Sequence, residues 1–227
     1  MARPMLRLAH RGDWRRAPEN TIPALQAALK VPGCDGVEFD VRLSADGIPV
    51  LLHDETLARV QGRPEPVHEV KARALEELGV PSLAAVLAAL PHRAFLDVEL
   101  KERHDRAVVE VLAAGRGPGL VNAVVSSFQP DTLERIAGLV PLWPRWLNAR
   151  DLEPATIATA TELECRAISV EWHAIDKDSL ARARAADLQV AAWTVRRRAT
   201  AGRLARSGII ATCVEAAALD GPGPEVA

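Results

Sequence analysis

The stretch Val37-Glu38-Phe39-Asp40-Val41-Arg42-Leu43-Ser44-Ala45-Asp46-Gly47-Ile48-Pro49-Val50-Leu51-Leu52-His53-Asp54 reads as two strands joined by a tight turn. Strand residues two apart project to one face, so Glu38 and Asp40 point together while Val37, Phe39 and Val41 point the other way. Ser44-Ala45-Asp46-Gly47 carries an Asp-Gly turn signal and is too short for a crossover helix, so residues 48–53 are expected to return antiparallel. Counting back from the turn sets His53 beside Phe39 and Asp40.

Outward from this hairpin, short apolar runs alternate with amphipathic stretches, the pattern of βα units around a parallel sheet. Strands are expected at 6–10, 37–43, 48–53, 95–100, 123–128, 142–147, 167–172, 189–195 and 208–213. A closed β/α barrel takes eight strands, and the hairpin accounts for the surplus run. Helices are expected at 21–29, 83–90, 105–114, 131–139, 154–163, 178–186 and 196–207, with Asn20 and Ser82 as N-caps and Pro23 in a first turn. The fold class is therefore α/β, a single TIM-type β/α barrel over residues 1–220. Residues 59–79, rich in charge and Pro, form a small insertion, and 221–227 form a frayed tail.

Four groups of residues carry chemistry. Two inward carboxylates, Glu38 and Asp40, are costly to bury unless a divalent cation or paired Arg and Lys side chains offset them. Leu96-Asp97-Val98-Glu99-Leu100-Lys101 repeats the alternation, so Glu99 completes a three-carboxylate set and Lys101 contacts phosphate or steadies the carboxylates. His10-Arg11-Gly12 ends the first strand, where barrels place reactive groups; His10 can move a proton and Arg11 can hold a phosphate, although an ordinary loop reads the same way. His53 gains weight only from these neighbours, since a lone His is more often structural. Ser126-Ser127-Phe128, Glu171-Trp172 and Trp193-Thr194 close other strands, with Trp193 either an apolar wall for a ligand or ordinary packing. His68, His92, His104 and His173 fall on loops or surface.

The chain has 227 residues, 48% of them hydrophobic and 26% charged, with a formal net charge of −2. That size supports one core, and the near-neutral balance argues against a nucleic-acid or anionic-membrane footprint. Cys34, Cys165 and Cys213 are widely spaced and suggest neither a disulfide framework nor a CxxC metal site. Without a sustained apolar leader or spanning segment, a cytoplasmic location without membrane insertion is expected.

Taken in order, His10-Arg11-Gly12, Glu19-Asn20-Thr21, Glu38-Phe39-Asp40-Val41, Asp46-Gly47, Val50 to Asp54, Pro81-Ser82-Leu83, Glu99-Leu100-Lys101, Ser127-Phe128 and Trp193-Thr194-Val195 resemble the glycerophosphodiester phosphodiesterase family. The resemblance runs from Leu8 to about Ala211. It implies a barrel of the phosphatidylinositol-phospholipase-like superfamily, one divalent metal ion, Mg²⁺ or Ca²⁺, and a small-molecule glycerophosphodiester substrate. Carried over by position, it implies Glu38, Asp40 and Glu99 as metal ligands and His10 and His53 as general acid and base, with His53 favoured as the acid. Arg11 and Lys101 become phosphate contacts, with Trp193 at the substrate and Glu19 and Asn20 in support. A homo-oligomer is left open.

Two departures stand out. Ala211-Thr212-Cys213-Val214-Glu215 replaces a Thr-Asp-Tyr-Pro-like segment, and Arg196 stands where an Asn commonly follows Trp-Thr-Val. Both are expected to touch the rim and substrate preference more than hydrolysis. The rival readings are a lysophospholipase D or phospholipase C acting on a lipid, a non-catalytic phosphodiester-binding barrel, and a structural barrel with buried ion pairs.

Overall fold

The computed structural model describes residues 5–102 and 106–221. The strands are β1 (Leu6–His10), β2 (Gly36–Leu43), β3 (Pro49–Leu51), β4 (Phe95–Leu100), β5 (Ala123–Ser127), β6 (Arg145–Ala149), β7 (Ala167–Glu171), β8 (Gln189–Val195) and β9 (Ala211–Val214). All but β3 pair in parallel, and β1 lies between β9 and β2, so eight strands close into the expected barrel. The helices are α1 (Ile22–Ala28), α2 (Ala58–Gln61), α3 (Ala72–Glu77), α4 (Leu83–Ala89), α5 (Arg106–Arg116), α6 (Pro130–Leu139), α7 (Pro154–Glu162), α8 (Lys177–Ala185), α9 (Arg198–Ala205) and α10 (Ala216–Leu219). The expected tail from 222 onward, His104 and the first residue of the expected 105–114 helix lie outside the described residues. No helix among the described residues is long and apolar enough to cross a membrane.

The hairpin forms in the counted register. Val41 pairs with Leu51, and Leu52 N–H donates to the Asp40 carbonyl at 3.1 Å, which brings His53 level with Phe39. β2 is longer than its neighbour β1: its first half pairs with β1 and its second half with β3. β3 therefore patches the edge of β2 above the barrel. The chain then makes α2, a 3-10 turn at Val67–Glu69, and α3, which enclose Val50, Leu52, Leu57, Val67, Leu75 and Val80 in a small core of their own. The segment expected to lack a period is thus an ordered insertion.

Alternation sorts the side chains of β2 as expected. Val37, Phe39 and Val41 join Leu25, Leu83, Val86, Leu112 and Leu133 from the surrounding helices in the main core. Inside the barrel, Leu8, Val124, Trp146, Ala167, Ala191, Ala211 and Cys213 make a second apolar cluster. Next to it the interior turns polar, with Glu38, Asp40, Asp97, Glu99, Ser126, Asn148 and Ser169 all buried.

Some boundaries move for local reasons. Thr21, not Asn20, caps α1, its hydroxyl accepting from Ala24 N–H at 3.4 Å, while Pro23 sits in the first turn as expected. β6 starts at Arg145, not at 142, because Pro144 has no N–H to donate and Leu142 is 93% exposed. β9 starts at Ala211 because Gly208 turns with φ of +81° before pairing begins.

The exit from β1 is the tightest turn near the barrel mouth. Gly12 has φ of +88°, and a Cβ there would lie 2.6 Å from the Ala24 carbonyl carbon in α1. Both the left-handed backbone and the backbone neighbour exclude a side chain. Gly12→Ala is expected to destabilise the fold by about 2 kcal/mol, measured as a lower urea midpoint at unchanged slope.

Candidate active site

β2 and β4 lie in register with Glu38 opposite Asp97 and Asp40 opposite Glu99. Strand alternation then forces four carboxylates into one half of the barrel interior. Ligand oxygens of Glu38, Asp40 and Glu99 all lie within 4.8 Å of one another. Lys101 Nζ is 3.1 Å from Asp40 Oδ1 and 2.5 Å from Glu99 Oε1, and Arg11 Nε is 3.0 Å from Asp40 Oδ2. Arg11 and Asn20 both adopt left-handed backbone, with φ of 57° and 56°, a cost that local hydrogen bonds help to hold. Asn20 N–H donates to the Arg11 carbonyl at 3.0 Å, and the Asn20 side chain both donates to Asp40 Oδ2 at 2.8 Å and accepts from Asp40 N–H. Asn20 is therefore a carboxylate holder, in place of the expected helix cap.

Two cations do not offset four carboxylates. Burial, then the charges of Asp40 and Glu99, push Glu38 well above the usual carboxylate range; burial and Asp40 raise Glu99 as well. Asp97, which accepts from the Ser126 hydroxyl at 2.6 Å, is pushed up to about 7 by burial. Asp40 moves the other way: against its burial, Arg11 and Lys101 hold it below the usual range. Glu38 Oε1 is buried and without a hydrogen-bond partner among the described residues. Three clustered hard oxygen donors, one with an unsatisfied atom, fit a divalent cation of the Mg²⁺ or Ca²⁺ kind.

The two histidines flank this cluster and line the same cavity. His10 Nδ1 lies 2.5 Å from Glu215 Oε1, and its Nε2 is 3.8 Å from Glu38 Oε2. Arg196 Nε donates to the other Glu215 oxygen at 2.8 Å. Burial works against ionising Glu215, yet the hydrogen bonds from His10 and Arg196 bring it down to about 2. On the opposite side, His53 Nδ1 lies 2.7 Å from Asp54 Oδ1. A carboxylate on Nδ1 fixes the tautomer and leaves Nε2 as the free ring nitrogen.

Glu215 was not among the expected site residues. Nothing local marks it, since it follows β9 and meets His10 across 205 positions of chain. The two departures, expected at the rim and the last βα unit, meet each other: Arg196 holds Glu215, and Glu215 holds His10.

The cavity has a volume of about 390 Å³ and is lined on this side by His10, Arg11, Glu38, His53, Glu99 and Lys101. Its other wall is nearly free of charge, with Phe128, Asn148, Ser169, Trp193 and Thr194 beside Arg150. Trp193 donates its ring N–H to the Ser169 carbonyl and meets Phe128 edge-on at 5.6 Å, so it shows the cavity an apolar surface. Glu19 stands farther back, accepting from Arg11 at 2.9 Å. Glu171 and Trp172 do not line the cavity; the Glu171 carboxylate accepts from His173 N–H at 2.9 Å, and the Trp172 and His173 rings meet.

Residues 10–218 match the model of the glycerophosphoryl diester phosphodiesterase family. The glycerophosphodiester phosphodiesterase of Caldanaerobacter subterraneus subsp. tengcongensis is 52% identical over 52 residues, which is 23% of this chain and 21% of that relative. The chain thus matches about a fifth of that relative's length. Over the whole fold, an Oleispira antarctica phosphodiesterase solved in complex with the product sn-glycerol-3-phosphate is 26% identical with a TM-score of 0.81, covering 96% of this chain and 94% of that one. The glycerophosphodiester phosphodiesterase of Agrobacterium tumefaciens str. C58 is also 26% identical, with a TM-score of 0.80 and coverage of 96% and 97%.

If the carboxylate cluster takes a cation, Mg²⁺ or Ca²⁺ stabilises the folded state by about 2.7 kcal/mol at a hundred times the dissociation constant, seen as a rise in Tm by calorimetry. Glu38→Gln is expected to lose that rise without lowering the metal-free Tm, because it removes one of several crowded like charges.

Proposed function

We infer that this chain, which belongs to the glycerophosphoryl diester phosphodiesterase family, is an enzyme that hydrolyses glycerophosphodiesters to glycerol 3-phosphate and an alcohol, with a divalent metal and two histidines. The observation that carries the reading is the pairing of two carboxylate-held histidines with the Glu38, Asp40 and Glu99 cluster on one cavity.

Glu38, Asp40 and Glu99 would hold the cation, which would supply positive charge toward the phosphoryl oxygens when bound. Arg11 and Lys101, already seated against those carboxylates, add to it as charge grows in the transition state. One histidine accepts a proton from the nucleophile, water or a neighbouring substrate hydroxyl, as its oxygen bonds to phosphorus. The other gives a proton to the alkoxide as the opposite P–O bond breaks. Burial lowers the His53 pKa despite the nearby Asp40 charge. That direction suits a proton acceptor, so we assign His53 as base and His10 as acid, the reverse of the preference from sequence.

The neutral wall with Trp193 and Phe128 takes an organic arm of the substrate. A cytoplasmic setting rests on the sequence reading, and fractionation that finds the protein exported overturns it.

The test is release of glycerol 3-phosphate from glycerophosphocholine, first with chelator and then with Mg²⁺ or Ca²⁺; release only with metal supports the reading. Failure with every diester and metal rejects it, and release only from a lysolipid moves it to the lipid-cleaving alternative. His10→Ala and His53→Ala are each expected to lower kcat by about 10²- to 10⁴-fold. Glu215→Gln should lower kcat by about 10- to 100-fold with KM little changed, since it acts through His10 and not on the substrate.

A further inference from the structure

The insertion reaches back into the barrel mouth through one side chain. Arg59, on α2, places its guanidinium between two carboxylates that belong to different parts of the site. Its two terminal nitrogens donate to the two Glu19 oxygens at 2.9 and 2.7 Å, and its Nε donates to Asp54 Oδ2 at 2.6 Å. Each carboxylate spends its remaining capacity on a residue lining the cavity. Glu19 Oε1 also accepts from Arg11 at 2.9 Å, and Asp54 Oδ1 lies 2.7 Å from His53 Nδ1. The order Arg11, Glu19, Arg59, Asp54, His53 is an unbroken run of hydrogen-bond contacts.

We propose that Arg59 is a positioning residue, through which the insertion locks Arg11 and His53 into one fixed arrangement around the carboxylate cluster. The inference rests on the proposed reaction for its effect on turnover. A planar guanidinium with fixed donor directions can hold two carboxylates at a set angle, which an ammonium cannot. Without it, Glu19 and Asp54 each keep one partner and lose the tie between them. Arg59 itself touches no ligand-binding surface of the cavity, and its side chain is 48% exposed. Its pairs therefore matter little to stability, and the insertion keeps its own apolar core without them.

The test compares Arg59→Ala with Arg63→Ala, whose side chain, among the described residues, pairs with Glu65 alone at the surface of the same insertion. Arg59→Ala is expected to lower kcat for glycerophosphocholine about tenfold or more, the scale for lost partners of functional residues, with Tm held. Arg63→Ala is expected to match wild type. Methylguanidinium at millimolar concentration should restore part of the lost rate in Arg59→Ala, and Arg59→Lys should restore less than the native arginine. The ¹⁵N shifts of the His53 ring, which need no turnover, should move in Arg59→Ala and stay in Arg63→Ala. Wild-type kcat together with unmoved His53 shifts in Arg59→Ala overturns the proposal. A wild-type protein that cleaves no diester but whose His53 shifts still move on Arg59→Ala rejects the reaction and keeps the tie.

Discussion

Carboxylates crowded within 4.8 Å inside a barrel repel one another and lose their hydration, and most of the mouth is arranged to offset that cost. Strand pairing creates the problem, because the parallel register of β2 and β4 puts Glu38 beside Asp97 and Asp40 beside Glu99. From the backbone, Arg11 N–H donates to Glu38 Oε2 at 3.2 Å, which offsets only part of it. Lys101, two residues past Glu99 on the same face, answers part of the charge, and Arg11 answers another part from the neighbouring strand end. What is left over, on Glu38 above all, is the charge imbalance that suits a cation.

Holding Arg11 in place then becomes a structural task in its own right. Its left-handed backbone, the turn at Gly12 and the carbonyl that accepts from Asn20 N–H all bend the loop after β1 back over the carboxylates. Beside this charged layer the barrel is filled by Leu8, Val124, Trp146 and small residues. The interior is thus divided between a dry apolar plug and a charged layer, so substitutions that relieve charge at the mouth need not disturb the packing that closes the barrel.

The parts of this arrangement that strand periodicity controls were legible in the sequence. Alternation separated Glu38 and Asp40 from Val37, Phe39 and Val41, and Asp-Gly counting put His53 level with Phe39 because a two-residue period tolerates no slip without turning every side chain over. Local competition was less legible. Asn20 and Thr21 are both good caps by type, and the choice between them is made by Asp40, twenty positions away, which recruits the Asn20 amide. Glu215 was illegible for the same reason on a longer scale: its partner is met only when β9 pairs with β1. The internal order of the insertion was hard to read because its core gathers only six apolar residues spread from Val50 to Val80, too few to impose a period.

The two histidines are held by the same chemistry through different routes, and the difference has a consequence. Asp54 adjoins His53 in the chain, so that pair is local and is tied to the insertion through Arg59. His10 ends β1 and Glu215 directly follows β9, the two strands whose pairing closes the barrel, so that pair exists only in the closed cylinder. Opening the β1–β9 seam would separate His10 from Glu215 while leaving His53 with Asp54. Orientation of His10 is therefore coupled to global closure of the fold, whereas orientation of His53 is coupled to a small attached unit. A change near β9 that never touches the cavity can therefore reorient His10, because Arg196 holds Glu215 and Glu215 holds His10.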